Sequence, residues 1–308
     1  MKKIFVIFIL GVMGISTMFG IKVSTSIVPY YLLVKEIILK TDEVNLIIPE
    51  GKSPHTYALT PREIISLYES DIIIANGFDS EIFIEKLFDN LEKRNIKIFY
   101  ASSTIPIKHL VEMGEHHHDS EDNEDQHHHS DSEDEDDHHS HKLNPHIWMN
   151  PYFIYEYVID GIVNELVKLN SSFSPTYINN ARVLKERLKK LDEELKMISE
   201  NLNASIITFH DAFPYFANRY DIEIAFVVQS SPGVDPTPRE LTEMINHINE
   251  HNVRAIFIEP QLSDRAAKRI SDSAGIKIGI LDPLGNLKMK NIDELFLYNM
   301  NEIIDKTK

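Results

Sequence analysis

Cysteine is absent from this 308-residue chain, which excludes disulfides, thiolate metal ligands and a lipid attached to an N-terminal cysteine. Clustered positive charge is missing too. The chain carries 48 acidic and 31 basic residues, a formal net charge of -17, and no basic group is dense enough to follow a phosphate backbone. Nucleic acid is therefore not an expected partner. The charge is unevenly placed: Glu115 to Asp137 holds twelve acids and no Lys or Arg, leaving 36 acids against 31 bases elsewhere. The rest of the chain is only mildly acidic. There is no His-Glu-x-x-His helix, and no residue-level repeat relates the two halves.

Residues 1–20 open Met-Lys-Lys and run uncharged from Ile4 to Gly14, the layout of a secretory signal. Export to a periplasmic or other extracytoplasmic space is expected, without a Cys-linked lipid. Because Met18-Phe19-Gly20 is a poor small-residue cleavage site, an uncleaved N-terminal anchor is the alternative. The length suits two globular lobes, and 43% hydrophobic residues suffice for their cores.

The patterning alternates strand and helix. β-Branched runs predict strands at Ile21–Val28, Val44–Ile48, Asp71–Ala75 and Ile96–Tyr100, with helices over Tyr30–Leu39, after Thr60 and around Phe83–Leu91. Thr60-Pro61-Arg62-Glu63 supplies an N-cap, a first-turn proline and a capping-box Glu. Strands recur at Ser205–Phe209, Ile222–Val228, Arg254–Ile258 and Ile276–Leu281, with helices starting at Pro236-Thr237-Pro238 and Ser263-Asp264. Between the halves, Tyr152–Leu169 reads as helix. Pro175–Glu200 carries a seam of Tyr177, Ala181, Leu184, Leu188, Leu191, Leu195 and Ile198. Such a helix spans about 39 Å and joins two lobes stiffly; coiled-coil pairing is the rival reading of the seam. The expected fold is α/β: two four-stranded parallel-sheet lobes joined by a long rigid helix, with a metal site in the cleft between them. The expected division is a signal at 1–20, a first lobe at 21–151, a helical connection at 152–202 and a second lobe at 203–308. Residues 115–141 form a disordered insertion in the first lobe.

Ligands of doubly wound lobes bind outside the carboxyl ends of the strands. Four metal-capable residues fall there. His55, in Pro-His-Thr-Tyr, follows the second strand of lobe one, and His146, in Asn-Pro-His-Ile-Trp-Met-Asn-Pro, follows that lobe's last strand by way of the insertion. His210, in His-Asp-Ala-Phe, follows the first strand of lobe two, and Asp282, in Asp-Pro-Leu-Gly, follows its last. Two lobes facing across a cleft would bring together three imidazoles and one carboxylate, a tetrahedral set that zinc accepts. Glu259, after the third strand of lobe two, is a supporting residue or the alternative to Asp282. Taken singly, each histidine is more readily a hydrogen-bonded structural residue than a ligand, an order that reverses for the three together at strand ends, and Asp282-Pro283 also reads as a simple turn. Tyr152, Tyr155, Tyr157 and Trp148 read as packing, and His109, His247 and His251 are assigned no role.

Pro54-His55-Thr56-Tyr57, Pro145-His146-Ile147-Trp148, His210-Asp211-Ala212-Phe213, Glu259-Pro260-Gln261 and Asp282-Pro283-Leu284-Gly285 resemble, in order, the motifs of a known family. These are the metal-binding proteins of high-affinity zinc and manganese ABC importers, the cluster A-I solute-binding proteins. The resemblance implies His55, His146, His210 and Asp282 as ligands and Zn2+ as cargo. It also implies a membrane permease with its cytoplasmic ATPase as partner, and no catalysis. Manganese-type relatives carry a carboxylate where this chain has His210, and manganese prefers more oxygen donors, so Mn2+ fits less well. The chain departs from the family at Ser53, Ala58, Asn144 and Asn150, where relatives often have acids, and at Pro214, where glycine is common. The missing acids are expected to weaken the site unless backbone carbonyls or Asn side chains orient the imidazoles in their place. A monomer is expected. The stiff helix implies small lobe tilts, with access governed by loops near His210 and Asp282.

The acidic tract contributes His116, His117, His118, His127, His128, His129, His138, His139 and His141. One reading makes it a weak, fast-exchanging metal collector beside the cleft, the other a solubilising insert. A zinc hydrolase, with three histidines and an open position, and a metal-binding surface adhesin are the alternatives to a transport role.

Overall fold

The computed structural model describes residues 20–113, 143–229 and 237–308. The signal at 1–20 apart from Gly20, the histidine-rich tract 115–141 and Pro236 at an expected helix start lie outside the described residues.

The first lobe runs β1 (Lys22–Thr25), α1 (Val28–Ile37), β2 (Glu43–Leu46), α2 (Pro61–Leu67), β3 (Ile72–Ala75), α3 (Ile82–Glu92) and β4 (Lys97–Tyr100). Its sheet has the order β2-β1-β3-β4 with every neighbouring pair parallel. All four residues of β3 are buried, the pattern of a strand covered on both faces. β1 ends earlier than the apolar run suggests, because Pro29 sits in the first turn of α1, where its fixed φ starts a helix. The capping box on α2 forms as expected: Thr60 N–H donates to Glu63 Oε2 at 2.7 Å, and Glu63 N–H returns to Thr60 Oγ1 at 3.4 Å.

The chain then crosses through α4 (Pro151–Phe153), a π turn at Ile154–Val158, α5 (Ile159–Leu169) and α6 (Ser174–Ser199). A single helix was expected over Tyr152–Leu169; the π turn interrupts it. The wider turn leaves Tyr155 Oη 3.0 Å from Asp192 Oδ2, while the hydroxyls of Tyr152 and Tyr157 lie 3.4 Å apart. The second lobe follows with β5 (Ser205–His210), α7 (Pro214–Tyr220), β6 (Ile224–Gln229), α8 (Pro238–Glu250), β7 (Val253–Ile258), α9 (Arg265–Ala274), β8 (Lys277–Ile280) and α10 (Asp293–Thr307). Its parallel sheet, β6-β5-β7-β8, repeats the connectivity of the first. The C-terminal helix α10 has no counterpart among the expected elements.

α6 has 26 residues, about 39 Å at the helical rise, and packs against α1 and α5 on one side of the molecule and α7 and α10 on the other. Its buried stripe is Tyr177, Ala181, Leu184, Leu188, Leu191, Asp192, Leu195 and Ser199. Ile198 was expected in that stripe but is 39% exposed. A strict seven-residue repeat drifts by about 20° per heptad on a straight helix, so after three heptads Ser199 has replaced it at the core. The seam is used up inside the molecule, which removes the coiled-coil reading. Arg187, on α6, ties both lobes to the helix. Its Nη1 and Nη2 donate to the two oxygens of Glu36 at 2.7 and 2.8 Å, and its Nε donates to Asp293 Oδ2 at 2.8 Å.

Asp192 is the one acid in the stripe, with only 1% exposure. It accepts from Arg219 Nε at 2.9 Å, Tyr155 Oη at 3.0 Å and Tyr220 Oη at 3.1 Å, and Arg219 Nη2 closes a second bond. Burial pushes its carboxyl up, but the hydrogen bond and charge of Arg219 overcome this and hold it below its ordinary value. Asp192→Asn is expected to cost about 1.5–3 kcal/mol, the range for hydrogen bonds to a charged group. The loss should be largest near neutral pH and shrink on acidification, because a depressed carboxyl stabilises the fold only while ionised. Urea denaturation at several pH values measures it.

Candidate metal centre

Three imidazoles from separate parts of the chain meet between the lobes. His55 sits on the loop after β2, His146 on the segment that returns after β4, and His210 is the last residue of β5. Their ring centroids are 4.9 to 5.3 Å apart, and one nitrogen from each lies within 4.8 Å of the others. His55 Nε2 and His146 Nε2 are 3.1 Å apart. Two nitrogens about 2.0–2.1 Å from one tetrahedral ion would be roughly 3.3–3.4 Å apart, so this pair already has the spacing of a shared cation. His146 and His210 are buried, and His55 is half-buried at the mouth.

Two of the rings are held from behind by side chains, and the third is carried on an anchored loop. The His55 loop turns through Tyr57 N–H to Ser53 O at 3.0 Å, and Tyr57 Oη donates to Glu63 Oε1 at 2.8 Å, which anchors it to the α2 capping box. Asn144 Oδ1 accepts from His146 Nδ1 at 3.0 Å. Below it, Asn76 Nδ2 donates to Pro145 O at 2.7 Å and Asn76 Oδ1 accepts from Tyr30 Oη at 2.6 Å. Asn76 is fixed in turn by its N–H to Glu81 Oε1 at 2.8 Å; enclosure pushes the Glu81 carboxyl up to about 7. On the second lobe, His210 Nδ1–H donates to Glu259 Oε1 at 3.0 Å. β5 and β7 are where the strand order reverses, and His210 and Glu259 stand at their ends, the crevice where such sheets bind ligands.

These surroundings split the three rings. Burial, with His210 adding, drives His55 down to about 3. Burial, then His210 and His55, holds His146 well below its ordinary value. For His210, burial alone would act downward, but the charge and hydrogen bond of Glu259, helped by Asp211, carry it above 6.5. Protons compete with metal for the imidazole lone pair, so acid enters the centre through His210. Metal affinity is expected to start falling at a higher pH than an ordinary imidazole would set, since His210 is raised. Glu259→Gln removes the charge that lifts His210; it should weaken zinc about 10–100-fold at neutral pH and move the onset of acid loss downward. Zinc titrations over a pH series on both proteins measure this.

Asp282, expected as the fourth ligand, stands outside the group of three imidazoles and is not among the residues lining their pocket, which it reaches only through Gln261 and the Pro283–Leu284 turn. Its hydrogen bonds fall on Oδ1, which accepts from Leu284 N and Gly285 N at 3.0 Å and from Gln261 Nε2 at 3.3 Å. The oxygen therefore holds the turn that Gly285 completes at φ +69°. Asn299 clamps the same residue from α10, with its Oδ1 accepting Asp282 N–H and its Nδ2 donating to Asp282 O, both at 2.8 Å. Pro283 and Leu284 line the pocket, with His55, His146, His210, Glu259 and Gln261. The cavity has a volume of ≈ 10 Å³, about the room for one water or one ion. His109 lies apart, its ring 6.0 to 6.4 Å from those of Tyr152, Phe153 and Tyr157.

Two contributors had no assigned site role. Trp148 Nε1 donates to Pro283 O at 2.7 Å, bridging the segments after β4 and β8. Gln261 reaches Asp282 as described above, and the Glu-Pro-Gln motif was the signal for it. The indole bond is made to a backbone carbonyl, for which sequence carries no mark.

The chain matches the family described as zinc-uptake complex component A, periplasmic, over residues 23–308. It is 24% identical over 274 residues to the zinc-binding protein AdcA of Streptococcus pyogenes serotype M3, covering 88% of this chain and 52% of that protein. The chain thus spans about half the length of the streptococcal relative it matches. The high-affinity zinc uptake system protein ZnuA of Bacillus subtilis is 27% identical over 273 residues, covering 88% of this chain and 81% of that protein. The periplasmic zinc binding protein TroA of Treponema pallidum has the same fold, with a TM-score of 0.79 at 20% identity over 94% of this chain and 99% of that one. With the family match running from Val23 to the last residue, this chain belongs to the periplasmic zinc-uptake component A family.

Proposed function

We propose that the protein is an extracytoplasmic solute-binding protein that captures one Zn2+ between its lobes and delivers it to the permease of an ABC importer. The observation that carries this reading is the meeting of His55, His146 and His210, the last two with their far ring nitrogens held, around a space of one ion. His55, His146 and His210 are the nitrogen ligands. Asp282 is the fourth ligand and closes the set when its carboxylate turns from the loop it now holds; Glu259 orients His210. Three imidazoles favour zinc over manganese, which prefers more oxygen donors and higher coordination. The protein is a carrier without catalysis, a reading supported by its membership of a zinc-uptake component family.

The remaining assignments are part of the same proposal. Residues 1–20 export the chain, 21–151 and 203–308 form the lobes and 152–202 the connection, and the protein works as a monomer. The nine histidines of 115–141 collect metal weakly. α6, cross-braced by Arg187, keeps lobe tilts small, so loops near His210 and Asp282 govern entry and exit. Elemental analysis of protein purified without added metal, with competitive zinc and manganese titrations of the natural chain and His210→Glu, tests the reading. Zinc is expected to win on the natural chain and to lose ground on His210→Glu. Preference for manganese on the natural chain would refute the metal assignment.

A further inference from the structure

Asn144 is fully enclosed, and every polar atom it has is used. Its Oδ1 accepts from both His146 N–H and His146 Nδ1, at 3.0 Å each. Its Nδ2 donates to Asp211 O at 2.8 Å and to Asp211 Oδ2 at 3.0 Å. The backbone carbonyl accepts from Tyr215 Oη at 2.8 Å, and the backbone N–H donates to Val111 O at 2.8 Å. Tyr215 Oη in turn accepts Val111 N–H at 3.2 Å. Asp211 and Tyr215 belong to the second lobe, and Asp211 is the chain neighbour of His210. One side chain thus touches a candidate ligand of the first lobe and the backbone beside a candidate ligand of the second.

The chemistry permits one orientation of this amide. His146 N–H can only donate and Asp211 O can only accept, so the oxygen must face His146 and the nitrogen Asp211. An amide oxygen cannot donate, so His146 Nδ1 carries the ring proton and Nε2 keeps its lone pair, facing His55 Nε2 at 3.1 Å. A carboxylate at 144 would still accept from the ring but would have no donor for Asp211, and would set a second carboxylate against Asp211 Oδ2. An alanine would do neither task.

Building on the zinc-capture reading, we propose that Asn144 is a positioning residue: it holds His146 in its metal-accepting tautomer and ties it across the cleft to the His210 segment. The nitrogens of the two lobes then meet an ion as one prearranged set, and release requires this tie to loosen or the loops around it to move.

The test reads ring tautomers and zinc affinity separately, on the full chain. Long-range proton–nitrogen spectra of metal-free, histidine-labelled protein, with the His146 signals assigned by their loss in His146→Gln, should show the Nδ1–H tautomer in the natural chain. Asn144→Ala should give a mixture of tautomers and a 10–100-fold weaker zinc Kd. Asn144→Asp should keep the Nδ1–H tautomer while losing the tie to Asp211, so its His210 ring signals and not those of His146 should broaden or shift. An unchanged His146 tautomer in Asn144→Ala, or a zinc Kd within twofold of the natural chain, would overturn the proposal. So would two variants that lose thermal stability alike with identical His146 and His210 spectra. Because the spectra are taken without metal, failure of the natural chain to bind zinc would refute the zinc reading while the tautomer result still decides the role of Asn144.

Discussion

His146→Ala is expected to weaken zinc binding by roughly 10²–10³-fold. Structural zinc sites are worth about 10–16 kcal/mol over four ligands, or about 2.5–4 kcal/mol each if shared evenly, and 1.4 kcal/mol is a tenfold change. The effect should lie toward the upper end here, because His146 is buried, its neighbours fix its orientation, and among the described residues no fourth imidazole stands in the group to replace it. Competition against a chelator of known affinity measures it. His109→Ala is the control: that ring lies among Tyr152, Phe153 and Tyr157, and its removal should leave the tight site unchanged.

Trp148→Ala is expected to be the most destabilising single change at the centre, about 3–5 kcal/mol by urea denaturation, the range for deleting a large aromatic from a core. Trp148 is fully buried, its ring centroid is 5.1 Å from that of His146, and its indole N–H holds the Pro283 carbonyl of the other lobe. Trp148→Phe keeps most of the bulk and leaves that carbonyl without its donor, so a smaller loss of about 1–3 kcal/mol is expected. Since Trp148 is the only tryptophan in the chain, intrinsic fluorescence reports this junction directly, and zinc arrival should change the emission of the natural protein.

Much of the architecture was legible in the residues because parallel strands covered on both faces read as short apolar runs, and because Thr60 to Glu63 writes a helix start in four letters. The candidate histidines were legible for a related reason: chemistry-bearing side chains gather at the carboxyl ends of such strands, and His55, His146 and His210 stand there. What stayed hidden depends on atoms that meet from distant parts of the chain. Asp282 was expected among the ligands, and spacing could not show that its Oδ1 also caps the Pro283 turn. Asn144 looked like a lost carboxylate, yet its donor is what lets it reach Asp211. The break of β1 before Val28 was present as Pro29 and outweighed by the β-branched run. The π turn at Ile154–Val158 left no mark in the periodicity, since Tyr155 is satisfied by Asp192 on a helix far along the chain.

The most direct test of zinc capture by three histidines is a calorimetric zinc titration of the chain lacking residues 115–141, alone and with His55, His146 and His210 all replaced by alanine. One tight site per chain is expected in the first protein and none in the second. A tight site that survives the triple replacement, or that vanishes when only 115–141 is removed, would contradict this account.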